Sequence, residues 1–156
     1  MELLLRLEET ALGTWVREAP TLWAYPTILF LHTVGLGFLV GISLATDLRL
    51  LGVAPDLPLP PMRRLYPVMW AGFWINAASG AALIVADAST KLTNPVFYVK
   101  MLCVAAGVLL LFAKRRHLEA PQARARVLAV ASVVAWIGAT TAGRLMGYLG
   151  PKSGLE

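Results

Sequence analysis

Residues 19–46 contain no Asp, Glu, Lys or Arg, and this one run limits the possible folds more than any other feature of the chain. Residues 65–86 and 127–143 form two further charge-free runs, and residues 92–113 carry a single charge, Lys100. A bilayer core of about 30 Å is crossed by about 20 apolar residues at helical rise. All four segments reach that length, the last by running on past Arg144. Spans are therefore predicted at about 26–46, 66–87, 95–113 and 127–149. A soluble four-helix bundle needs a polar stripe on every helix. Here Leu, Val, Ala, Ile and Phe cover the intervening faces. The expected fold is all-α: an integral membrane four-helix bundle, with residues 1–156 as one membrane domain.

Composition supports this reading. The chain is 58% hydrophobic and 15% charged, against about 45–50% and about 25% in ordinary soluble domains. Disorder is excluded, because disordered segments are poor in apolar residues and rich in charge. The net charge of +5 sits mainly in connectors and tails. The basic run Lys114–His117 therefore reads as cytoplasmic retention beside anionic lipid, not as a nucleic-acid patch.

Counting Lys and Arg gives an orientation. Arg49, Arg63, Arg64, Lys114, Arg115, Arg116, Arg124 and Arg126 lie on one side, eight in all; Arg6, Arg17, Lys91, Arg144 and Lys152 lie on the other, five in all. The positive-inside rule puts both connectors in the cytoplasm and both termini outside. The N-terminus carries Glu2, Glu8 and Glu9 instead of a basic n-region, so the first span is expected to stay in the mature protein. Residues 2–18 place Leu5, Leu12, Trp15 and Val16 broadly opposite Glu2, Arg6, Glu9 and Arg17. That pattern predicts an amphipathic helix on the membrane surface, with a frayed terminus as the alternative.

Punctuation agrees with these spans. Pro26 stands near the start of span one, and Asn94-Pro95 supplies an N-cap followed by proline at the first helical position. Pro55, Pro58, Pro60 and Pro61 predict a non-helical first connector. Trp15, Trp23, Tyr25, Tyr66, Trp70 and Tyr148 fall near the predicted interfaces. The single cysteine, Cys103, allows neither an intramolecular disulfide nor a cysteine-based zinc site. Leu155-Glu156 carries no structural signal.

Each span has a stripe of small or polar residues. Gly37, Gly41 and Ala45 recur at four-residue spacing in span one and permit close approach of another helix. His32, Leu36, Ser43 and Asp47 fall on a different face. Gly72, Asn76, Gly80 and Asp87 align in span two; Lys100, Cys103, Val104, Gly107 and Leu111 in span three; Thr140, Gly143, Arg144 and Gly147 in span four. Packing through these stripes leaves the aliphatic faces to lipid, with sequential helices antiparallel.

Polar groups at membrane depth are the default functional candidates, because a central charge costs about 2.5–3.5 kcal/mol on insertion scales. His32, Lys100, Asp87 and Arg144 all fall in the outer half, with Asn76 near mid-membrane, so they can converge on one outward-facing pocket. Each has a plainer role. Lys100 and Arg144 can snorkel, Asp87 can pair with one of them, Asn76 can join helices, and His32 can bond a neighbouring carbonyl. Asp47 and Arg49 are expected to end span one at the cytoplasmic surface, with Asp47 paired to Arg63 or Arg64 in a weak structural ion pair.

Haem b is one cofactor this pattern brings to mind, and quinone the other. His32 and His117 are separated by on the order of 20 Å along the membrane normal, so they cannot share one iron. A single-histidine haem, a pairing of His32 with Met101 or Met146, a copper site at His32, and a site shared across a dimer stay open. No Gly-rich phosphate loop, HExxH or serine nucleophile elbow is present. Paired intramembrane carboxylates are absent too, so no catalytic residues are assigned. The acids sit at predicted helix ends, unlike the buried acids of a proton pathway.

Several of these residues form a recognisable pattern. Trp23-x-Tyr25-Pro26, His32-x-x-Gly35, Gly41, and Asp47-Leu48-Arg49-Leu50-Leu51-Gly52 come first. Asn94-x-x-Phe97-x-x-Lys100, Trp136 and Gly143-Arg144-Leu145 follow. Together they resemble an uncharacterised family of small four-span bacterial inner-membrane proteins. The resemblance implies that topology and location, and no established reaction. Many members carry an acidic residue three places before the histidine, where this chain has Leu29. The leading functional expectation is a non-enzymatic module that binds haem or quinone through His32, Asn76, Lys100 and Arg144 in an electron-transfer system. The alternatives are a structural or assembly subunit of a homo-oligomer or larger membrane complex, with Gly37 and Gly41 facing the partner, and a small transporter. The bilayer is the expected surrounding partner, and nucleic acid is not.

Overall fold

A computed structural model describes residues 1–53, 55–56, 59–115 and 123–148. Pro58, Arg116, His117, Lys152 and the final Leu155-Glu156 lie outside the described residues. Among the described residues eight helices run in order: α1 (Glu2–Glu8), α2 (Ala11–Glu18), α3 (Tyr25–Leu51), α4 (Leu59–Arg63), α5 (Tyr66–Ala86), α6 (Ala88–Thr93), α7 (Pro95–Arg115) and α8 (Ala123–Tyr148). No strand occurs among the described residues. The four long helices, α3, α5, α7 and α8, are each long and apolar enough to cross a membrane. The fold is an all-α four-helix bundle, compatible with a multi-pass membrane protein.

The bundle is built as two hairpins. α3 packs along α5, α7 packs along α8, and the hairpins join chiefly through α3 against α8. One end holds the C-termini of α3 and α7 and is rich in arginine. The other end carries α1, α2 and α6. Leu22, Phe30, Trp74, Leu102, Leu109, Val127 and Val134 are exposed around the bundle. Such a continuous apolar surface suits lipid and not water.

Glycines set the helix spacing. A Cβ on Gly35 would stand 2.7 Å from the Gly72 carbonyl oxygen, and one on Gly72 would stand 2.7 Å from Phe38 Cβ. α3 and α5 therefore cross with their backbones in contact. A Cβ on Gly107 would stand 2.8 Å from the Trp136 ring, so α7 makes room for the largest side chain of α8. The sequence assigns the close approach in α3 to Gly37 and Gly41. Both are instead exposed, and a Cβ on either would meet nothing within 4 Å. In α8 the buried stripe is Ala125, Ala129, Ser132, Trp136 and Ala139, and the expected Thr140–Gly147 stripe continues it toward the C-terminus, where Gly143 takes the Lys100 side chain and Gly147 is exposed. Leu39, Met69, Leu111, Trp136 and Ala139 form the central core.

Three local expectations change. The N-terminal surface helix is broken in two at Thr10. That residue is extended (ψ 152°), and its hydroxyl accepts the Gly13 N–H at 3.3 Å, capping α2. The first connector is not wholly irregular: Pro60 and Pro61 sit in the first turn of α4, where their missing N–H groups leave nothing unsatisfied. α3 also continues past Asp47 to Leu51, ending at Gly52 in the left-handed conformation (φ 81°) that glycine adopts without strain. Asn94 does cap α7, accepting the Val96 N–H at 2.9 Å.

The short helices are held by charged side chains. Glu8 accepts the Ser89 N–H at 2.6 Å, supplying the cap that α6 lacks from its own Asp87. Arg17 reaches Glu8 at 3.6 Å and donates to the Ala86 carbonyl at 3.4 Å, at the end of α5. Val16 is fully buried beneath them. The α1–α2 pair thus lies over the junction of α5 and α6.

Candidate functional site

Two polar constellations lie inside the bundle, one toward each end. Toward the α1–α2 end, His32 of α3 and Asn76 of α5 clasp each other. His32 Nδ1 lies 3.0 Å from the Asn76 carbonyl oxygen, and Asn76 Nδ2 donates to the His32 carbonyl oxygen at 2.7 Å. A carbonyl oxygen only accepts, so Nδ1 carries the proton and Nε2 bears the lone pair. Ser79 donates to the Ile75 carbonyl at 2.6 Å and lies 3.2 Å from His32 Nδ1. A Cβ on Gly80 would stand 3.0 Å from His32 Cε1, so the ring lies flush on α5 at a glycine.

Lys100 enters from α7. Its Cε and Nζ lie 3.7 and 3.8 Å from where a Cβ of Gly143 would stand, so the side chain crosses α8 at a glycine. Lys100 is half-buried and close enough to interact electrostatically with the His32 ring. Arg144, the next residue along α8, is exposed. Met101 is exposed on the outer surface of α7, which removes it as a companion to His32. Asp87 bonds neither Lys100 nor Arg144: it pairs with Lys91, one helical turn on, at 3.4 Å, and Lys91 also donates to the Leu83 carbonyl. Of the four predicted ligand-binding residues, the structure joins His32 and Asn76 by hydrogen bonds and leaves Lys100 within electrostatic range of His32.

The second constellation was not foreseen. Lys114 donates to Asp47 Oδ1, to Ser132 Oγ at 2.8 Å and to Ser43 Oγ at 3.4 Å. Trp136 Nε1 donates to Ser43 Oγ at 2.9 Å. Asp47 and Lys114 are 0% and 1% exposed. Asp47 is thus neither at a surface nor paired with Arg63 or Arg64, and Lys114 is not a connector cation. Asp47 Oδ2 is the one buried side-chain oxygen or nitrogen among the described residues with no hydrogen-bond partner. A signal for Lys114 existed in the sequence. The stripe Lys100–Val104–Gly107–Leu111, continued by three residues, lands on Lys114. Ser132 carried no comparable signal.

The described residues contain no group of three or more His, Cys, Asp or Glu that could hold a metal ion. Compared with known proteins, the chain matches no family model, no curated protein and no solved structure.

Proposed function

We propose that this protein is a non-enzymatic module of the bacterial inner membrane, with both termini outside. It binds a redox-active amphiphile in the outer half of the bundle and serves electron transfer. The observation that carries this reading is the state of His32: Nδ1–H is committed to the Asn76 carbonyl, which leaves the Nε2 lone pair for a ligand, with Lys100 within electrostatic range. Fixing one ring nitrogen on a carbonyl is how proteins orient the other toward a ligand. A quinol hydroxyl donates to such a nitrogen, while an ammonium donates to a quinone carbonyl. Haem b, bound through the same Nε2 with a propionate on Lys100, is the other ligand of this chemistry. An optical spectrum and a solvent extract of membrane-purified protein test the reading. Quinone or a haem band that is lost in His32→Ala supports it. Colourless protein free of quinone, whose melting temperature is unmoved by an added short-chain quinone, overturns it.

A second reading, an assembly subunit, is supported by the open face at Gly37 and Gly41. Small residues facing outward allow another helix to approach closely. Gly41→Ile then abolishes assembly, and an unchanged oligomeric state counts against this reading.

A further inference from the structure

α5 and α7 belong to different hairpins, and their backbones do not pack along one another. At the arginine-rich end this seam opens into a shallow groove lined by Tyr66, Met69 and Trp70 of α5 and Leu111, Phe112 and Arg115 of α7. Met69 and Leu111 are buried and form its floor. Trp70 and Phe112 bridge it with ring centroids 5.3 Å apart. Phe112 and Arg115 are exposed, Phe112 by 52%. The groove spans the first turn of α5 and the last turn of α7, where hydrocarbon gives way to headgroups.

Charge decides what fits there. Arg115 stands one turn beyond Phe112, at the mouth. Arg64, Arg124 and Arg126 are also exposed at this end. Of the described acids at this end, Asp47 is sealed inside with Lys114 and offers Arg115 no counterion, and Asp56 is a single exposed carboxylate in the connector between α3 and α4. A basic mouth over an apolar interhelical groove is the arrangement that holds anionic lipid headgroups.

We propose that the α5–α7 groove is a binding site for one anionic diacyl phospholipid, with the phosphate on Arg115 and an acyl chain along Phe112 and Trp70. The site lies at the opposite end of the bundle from His32 and does not rest on the redox-ligand reading.

Trp70 is itself the reporter. Full-length protein is placed in phosphatidylcholine nanodiscs doped with brominated phosphatidylglycerol or brominated phosphatidylcholine, and the Trp70 signal is taken as wild type minus Trp70→Phe. The brominated anionic lipid is expected to quench Trp70 at about one-fifth of the mole fraction needed by the zwitterionic one. That is the preference which ~1 kcal/mol from one arginine produces. In Arg115→Gln the two lipids quench alike, while in Arg124→Gln the preference persists. Equal quenching in the wild type overturns the proposal. So does a preference that falls equally in both arginine variants, which marks diffuse surface charge.

Discussion

Lys114, in the last turn of α7, donates to Asp47, near the end of α3, and the two residues stand 67 apart in the chain. An unpaired charge at membrane depth costs about 2.5–3.5 kcal/mol on insertion scales. Pairing offsets that cost, yet a buried ion pair is often no more stabilising than two apolar side chains of similar volume. What the pair supplies is geometry. α3 and α7 do not pack backbone to backbone, so this contact, extended by Ser132, adds a directional tie to the α3–α8 packing that joins the two hairpins.

The pair therefore responds non-additively to mutation. Lys114→Met leaves a buried carboxylate alone, and Asp47→Leu leaves a buried ammonium on serines only. Each single variant is expected to lose about 3–5 kcal/mol. The double variant Asp47→Leu/Lys114→Met recovers most of that loss. Denaturant unfolding in micelles of all four proteins measures the coupling, and additive losses would contradict it.

Helix spacing gives a second prediction. Gly35→Ala drives a methyl group into the Gly72 carbonyl and the Asn76 backbone nitrogen, which the Cβ would approach to 2.7 and 2.8 Å. Overpacking of this kind costs about 1–3 kcal/mol. Gly41→Ala meets open space and raises helix propensity. It is expected to leave the stability of the single chain unchanged or slightly improved in the same unfolding experiment.

Acid is expected to release the N-terminal helices. The Ser89 hydroxyl and backbone N–H hold the Glu8 carboxyl below its ordinary value of 4.5. A lowered value means that the docked state favours the carboxylate. Its contribution is complete above pH 4.5 and is lost as pH falls through the lowered docked-state value. Hydrogen-exchange protection factors of residues 2–18, corrected for the intrinsic pH dependence of exchange, should fall in that window. Glu8→Gln should remove the acid-dependent part.

The crossing at Gly143 separates ligand binding from folding. Gly143→Leu fills the space along which Lys100 lies and is expected to displace its side chain from the α8 crossing. Because the Lys100 side chain is flexible, the bundle should still fold. Quinone or haem retention is expected to drop at least tenfold while helicity stays at the wild-type level. Full retention would show that Lys100 takes no part.

The four long helices were legible because lipid-facing helices must be apolar all round over a fixed length, and Pro26, Asn94-Pro95 and Gly52 mark their limits by local chemistry. Gly72, Asn76 and Gly80 were legible as the contact face of α5, and His32 as an inward residue of α3. Lys114 was misread because it stands next to Arg115 in the chain. Composition treats both as connector charges, whereas helical rotation buries one and exposes the other. Gly37 and Gly41 do not pack inside the bundle for a related reason: a glycine stripe permits close approach without stating which neighbour makes it.

By itself, then, the sequence determined the four long apolar helices, their antiparallel order and the placement of His32 and Lys100 toward the same end of the bundle. These follow from burial cost per residue and from turn chemistry, both local quantities. Only the tertiary structure decided that Asp47 meets Lys114, that α3 crosses α5 at Gly35 and Gly72, and that α5 and α7 leave a groove above Arg115. Those relations depend on the rotation of each helix about its axis. In lipid, an apolar surface is equally content on any face, so rotation is set by the few polar and small groups that find partners on other helices.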